Sequence, residues 1–171
     1  MYSTCYIMKK TFIKSEMTYN QGFLAPYADT FYIEDILKDD DLDLNMKSVF
    51  MINECKLTDT ELKRFAIGYC KLMPQDKNLT DAIHSSELYM DDRITITELQ
   101  KVPRHIMQTI LSNGMDFESM PKLPLILYNI HNGDRMFKNY IHLITTGCAY
   151  HLQWNDNDKA LRYLHGFVKE N

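Results

Sequence analysis

Glycine, proline and tryptophan are scarce in this chain, at 6, 5 and 1 of 171 residues. The glycines stand isolated from one another, so no glycine-rich loop is available to wrap a phosphate, and the common nucleotide-dependent enzymes are disfavoured. Close cysteine pairs are missing too. Cys5, Cys55, Cys70 and Cys148 are scattered, whereas a structural zinc site usually takes two thiolates from one tight turn. His84, His105, His131, His142, His151 and His165 include no pair three or four residues apart, the spacing of a metal site on a helix. The expectation is four reduced, mostly buried thiols, no metal and no other cofactor.

An excess of positive charge is also lacking. The formal net charge is −4, which argues mildly against general nucleic-acid binding, since that needs a positive field to displace counterions. Long apolar runs are absent. The longest uncharged stretch, Asn139 to Asn155, holds Asn, His, Gln and Thr and is too short and polar to span a bilayer. At the N-terminus Lys9 and Lys10 follow Met1–Met8 instead of preceding an apolar run, which is not the pattern of a signal peptide. The sequence reads as a cytoplasmic protein without a membrane partner.

What is present is ordinary globular material: 45% hydrophobic and 25% charged residues in a length that suits one domain. Met and Tyr, 11 each, are abundant. With few glycines and prolines, that bias is common in phage and viral accessory proteins, an association without a mechanism; for a viral protein the compartment would be the host cytoplasm.

The expected fold is mainly α, a single compact helical domain over 1–171. Tyr2 to Ile13 mixes β-branched and aromatic residues with little helical period, so residues 1–28 read as one or two short strands or an extended arm. Asp29 is placed to cap a short helix with Tyr32, Ile33, Ile36 and Leu37 on its apolar side. Asp39, Asp40, Asp41 and Asp43 form an acidic linker without the glycine of a calcium loop. Met46, Val49, Phe50 and Asn53 suggest a helix. The clearest one spans 59–73: Thr58 and Glu61 fit a capping box, Leu62, Phe65, Ala66, Tyr69, Cys70 and Met73 recur on one face, and Pro74 ends it. Residues 134–168 read as an antiparallel helical hairpin. Asp134 caps its first helix, with a seam of Phe137, Tyr140, Ile141, Ile144, Cys148 and Leu152. The second presents Ala160, Leu161, Leu164 and Val168.

Two segments carry a hint of chemistry. From Val102 a turn-like Val-Pro-Arg precedes Ile106, Ile110 and Leu111, and Asn113–Gly114 suits a left-handed cap. Thr97 and Gln100 could cap a preceding helix. This pattern resembles the recognition half of phage-repressor-type helix-turn-helix domains. The resemblance implies DNA binding through residues 97–113, with Lys101, Arg104, His105, Gln108 and Thr109 facing out. It departs from the family because Leu99 to Val102 leaves too few residues for a first helix and its turn. The competing reading is a strand over Arg93 to Thr97 followed by an amphipathic helix with proline in its first turn. The second hint is Cys148, which His165 or His151 could polarise into a nucleophile. It lies on a buried seam, though, and no oxyanion turn surrounds it.

The leading expectation is therefore a small helical protein, a regulator or inhibitor, that is not an enzyme and acts by binding another protein. Tyr27, Phe31 and Tyr32 beside the acidic loop are the expected contacts, as amphipathic aromatics next to acids suit a basic partner. A DNA-binding regulator and a cysteine-dependent enzyme are the alternatives.

Overall fold

Apolar residues recurring every three to four positions dominate the chain, and helices result almost throughout. The computed structural model describes residues 8–17, 21–112, 122–133 and 135–171. The architecture is mainly α-helical, with one two-stranded sheet among the described residues. Backbone contacts divide the chain into two compact units, Met1–Thr58 with Ala149–Asn171, and Asp59–Cys148.

The first unit begins with strand β1 (Thr11–Ile13), a short 3-10 turn and helix α1 (Gln21–Leu24), followed by β2 (Thr30–Tyr32). β1 and β2 are antiparallel, with Phe12 opposite Phe31. Alternation turns both rings inward, where they stack at 5.5 Å, and Phe50 meets Phe12 edge-on at 5.0 Å. Tyr27 adds a fourth ring 5.3 Å from Phe31. Such pairs contribute about 0.5–1.5 kcal/mol each beyond the area they bury. The extended arm expected at the N-terminus thus contains β1, and its partner strand lies just beyond residue 28.

Helix α2 (Ile33–Lys38) follows β2 directly. The cap expected from Asp29 comes instead from Asp35, whose carboxylate accepts from the Tyr32 amide at 2.7 Å. Asp29 is occupied in the hairpin, where its carbonyl accepts from the Lys14 amide at 2.8 Å. The acidic linker is partly structural. Asp39 accepts from the Asp41 amide and from the Tyr27 hydroxyl, and Asp43 caps helix α3 (Leu44–Glu54) by accepting from Met46 N at 2.7 Å.

Helix α4 (Asp59–Leu72) opens the second unit and buries Leu62, Phe65, Ala66, Tyr69 and Cys70, the face read from the sequence. Its centre, however, is α5 (Lys77–Met90), a helix the periodicity did not suggest. Asp76 caps it by accepting from Leu79 N at 2.8 Å. Around α5 pack α4, α6 (Ile96–Leu99), α7 (Lys101–Ser112) and α8 (Lys122–Asn129). The core here holds polar groups. His131 is 3% exposed, meets the Tyr89 ring edge-on at 5.1 Å, and has no hydrogen-bond partner on either ring nitrogen among the described residues. Burial, with a smaller push from Lys63, lowers its pKa to about 4. The buried hydroxyls of Ser86 and Thr145 are likewise unpartnered.

Helix α9 (Phe137–Asn155) crosses the division between the units, and α10 (Asn157–Glu170) follows with only Asp156 between them. These are the two helices expected over 134–168, with Ile141, Ile144, Cys148, Leu152, Ala160, Leu164 and Val168 buried as their seams require. α10 packs on α2 and α3. The Gln153 side chain of α9 accepts from the Leu44 amide at 2.7 Å, so α9 satisfies an orphan donor at the start of α3. The caps expected from Asp134 and from Asn113–Gly114 lie outside the described residues.

Candidate functional site

Helix α9 has two unlike sides, and beyond Lys138 in its first turn neither carries an Asp, Glu, Lys or Arg. A helix completes one turn in 3.6 residues, so Ile141, Ile144, Cys148 and Leu152 align on the buried side. Leu143, Gly147, Tyr150 and Trp154 align on the other, with Met136 in line just before the helix. An outward helix face is ordinarily charged or polar. Here Leu143 is 57% exposed, Tyr150 72% and Trp154 76%, and no Asp, Glu, Lys or Arg occurs from Asn139 to Asn155. Beside Leu143 lies a shallow hollow of about 370 Å³ lined by Asn139, His142, Leu143 and Thr146. One turn further on, Gly147 leaves open space where a side chain would be.

The contacts expected at the acidic loop are placed differently. Phe31 is only 2% exposed and belongs to the ring cluster, because strand alternation points it inward opposite Phe12. It has no surface to offer a partner. Tyr27 is half-buried with its hydroxyl on Asp39; burial first, then that hydrogen bond, pushes the phenol pKa well up. Tyr32, 55% exposed, is the member of the trio that faces outward. Lys47, buried beside this loop, has its pKa lowered by loss of hydration, with Asp40, Asp39 and Asp43 opposing the shift.

Lys101, Arg104, His105 and Gln108 are exposed on α7; the side chain of Thr109 lies outside the described residues. Arg104 borders a cleft of about 400 Å³ with Gln100, Pro103, Tyr128 and Asn129. Two expectations for this segment are corrected. The capping box forms between Thr95 and Glu98, not Thr97 and Gln100: Thr95 N donates to Glu98 Oε2 at 2.7 Å and Glu98 N donates to Thr95 Oγ1. Val-Pro-Arg is no turn but the first turn of α7, where proline's missing donor costs no hydrogen bond. Gln100 alone separates α6 from α7, in place of the several-residue turn of a helix-turn-helix. The strand of the competing reading is also absent, for residues 93–95 form a bend and the cap of α6.

Cys148 lies against the thiol of Cys70 on α4, and both are buried. That contact, followed by loss of hydration, holds the Cys70 thiol well above its usual pKa, the opposite of an activated thiolate. Among the described residues no three His, Cys, Asp or Glu side chains gather as a metal site, and no helix is long and apolar enough to cross a membrane. Comparison with protein-family models, curated proteins and solved structures gives no match.

The sequence contained the signal for the α9 surface. The uncharged run from Asn139 to Asn155 supplies more large apolar residues than one helix side can hold, so some must face outward.

Proposed function

We propose that this protein acts by binding protein, as a regulator or inhibitor, and that the outer side of α9 is its contact surface. The supporting observation is the pair Tyr150 and Trp154, held on a regular helix at 72% and 76% exposure within the uncharged run from Asn139 to Asn155. Tryptophan and tyrosine are the residue types that most often dominate interface energetics, because they desolvate a large area at small cost in side-chain entropy. The contact surface thereby moves from the acidic loop to α9, and Tyr32 is left as a secondary edge.

The test compares the wild-type chain with a Tyr150→Ala, Trp154→Ala variant in chemical cross-linking and affinity capture. Both side chains are mostly solvated, so the variant keeps the wild-type melting temperature. Its protein-protein contacts fall by about tenfold or more. Contacts unchanged in the variant overturn the reading. A salt-dependent affinity for duplex DNA that drops in Arg104→Ala or Lys101→Ala, with no protein contact, would replace it by the nucleic-acid alternative.

A further inference from the structure

We infer that Asn132 is a self-modification site: the backbone nitrogen of Gly133 attacks the Asn132 side chain, and the asparagine becomes a carboxylate on the cleft that Arg104 lines. All the residues involved belong to the unit Asp59–Cys148, and none to helix α9.

An asparagine reacts in this way where the next backbone nitrogen can reach its side-chain carbonyl carbon. Within a helix it cannot, because that N–H is tied to the carbonyl one turn back and the backbone holds it away from the side chain. Among the described residues Asn132 is the one asparagine with a residue after it that lies outside every helix. It is exposed, so solvent reaches it. The next residue is glycine, which lacks the side chain that ordinarily screens the nitrogen. At Gly133 φ is +68° and nothing lies within 4 Å of the place a Cβ would take. Its N–H donates no hydrogen bond among the described residues. The nucleophile is untied, and there is room for the ring that forms.

The step balances with water alone. Gly133 N loses its proton to solvent and bonds to Asn132 Cγ; the Cγ–Nδ2 bond breaks, ammonia leaves, and a succinimide ring closes. Water then opens the ring. Opening at Cγ leaves aspartate, and opening at the main-chain carbonyl leaves isoaspartate. Either product carries a carboxylate, ionised at neutral pH, where an amide stood.

The new charge meets an arginine. Asn132 and Arg104 line the same cleft of about 400 Å³, with Leu99, Leu125 and Tyr128. Arg104 has no ion-pair partner among the described residues. Before modification, Asn132 Nδ2 donates to Asn129 Oδ1 at 3.2 Å. With the amide gone, two oxygens face each other there and that hydrogen bond is lost. A guanidinium offers a carboxylate two parallel N–H donors, so the modified residue turns to Arg104. The chain thereby neutralises the cation of its own cleft, irreversibly, and an anion bound at Arg104 must compete with the chain's own carboxylate.

Peptide mass spectrometry of the full chain, kept folded at mildly alkaline pH and sampled over days, tests the modification. The peptide carrying Asn132 should gain the mass of an amide-to-acid exchange at that residue and split into aspartate and isoaspartate forms, faster as pH rises. Asn45, Asn53, Asn78 and Asn139, all within helices, should stay amides. Asn132→Gln, whose longer side chain must close a larger ring, should stay unmodified. An Asn132 that remains an amide in the folded chain, while the same residue reacts in urea, overturns the inference. The Asn132→Asp chain tests the consequence for the cleft. Reactivity of Arg104 toward phenylglyoxal should fall by about two- to fivefold against wild type, the range of an exposed ion pair, and recover at high salt. An Arg104 equally reactive in both chains overturns the neutralised cleft.

Discussion

The two units stabilise themselves by different means. Unit Met1–Thr58 with Ala149–Asn171 gathers rings: Phe12, Phe31 and Phe50 are almost wholly buried and touch one another, with Tyr27 and Phe23 at the margin. Unit Asp59–Cys148 is built from helices around α5 and encloses His131, Ser86 and Thr145, whose polar atoms have no partner among the described residues. A ring cluster loses much when a ring is removed. A core holding unpartnered polar atoms gains when those atoms are removed, because burying an unsatisfied group costs about 1–3 kcal/mol. The contrast is one of degree, since the first unit also buries Lys47 and the unpartnered Asn45 Oδ1 beside its rings.

The largest expected effect tests the first half of that contrast. Phe50→Ala takes out the ring shared by Phe12, Phe23 and Phe31 and should lower the free energy of unfolding by about 3–5 kcal/mol, measured by urea denaturation. A loss under about 1 kcal/mol would mean the ring cluster is loosely packed.

Next comes acid. His131 has a pKa near 4 when folded, against 6.5 for the free side chain. Between these values the unfolded chain binds the proton that the folded chain refuses, so stability rises with pH there and falls as pH drops. It is fully present above about pH 6.5, and about 3 kcal/mol is lost by about pH 4. His131→Phe keeps a ring beside Tyr89 and should flatten this dependence. Urea midpoints measured across that range decide, and an unchanged slope in the variant rules His131 out as the cause.

Removing a helix cap should matter about equally in both units. Asp43→Ala in the first and Asp76→Ala in the second each delete the acceptor of one orphan amide, at about 1 kcal/mol apiece by thermal or urea melting. Markedly unequal losses would show that one of these helices is held by packing alone.

The smallest change has the opposite sign. Ser86→Ala and Thr145→Val should each stabilise by about 0.5–1 kcal/mol by removing a buried hydroxyl without a partner. Destabilisation by either would mean that the hydroxyl is satisfied in solution, and the contrast between the two cores would shrink.

Much of the fold could be read before any coordinates. The seam of α4 and those of α9 and α10 consist of large apolar residues at helical spacing, and such residues leave little freedom about which side faces in. α5 could not be read in the same way, because its buried side includes Ala82 and the polar Ser86 beside Leu79 and Ile83, which lowers the contrast on which periodicity depends. α8 was obscured by Pro124, which looks like a breaker yet falls in the first turn, where no hydrogen bond is lost. Phe31 shows the limit of a local argument. Next to acids and Tyr32 it looked like a contact residue, and only its register with Phe12 across the strand pair assigns it to the core. At the α9 surface the residue types were visible but their direction was not, since Leu143 and Ile144 are equally apolar and only packing decides which is covered.

Trp154 is the only tryptophan in the chain and stands three-quarters in water. Its emission is therefore already close to that of an unfolded chain, so intrinsic fluorescence will follow denaturation poorly. The same placement makes it a label-free reporter of anything that covers α9: a blue shift on adding a binding partner would register that ring leaving solvent, with no dye attached and no residue changed.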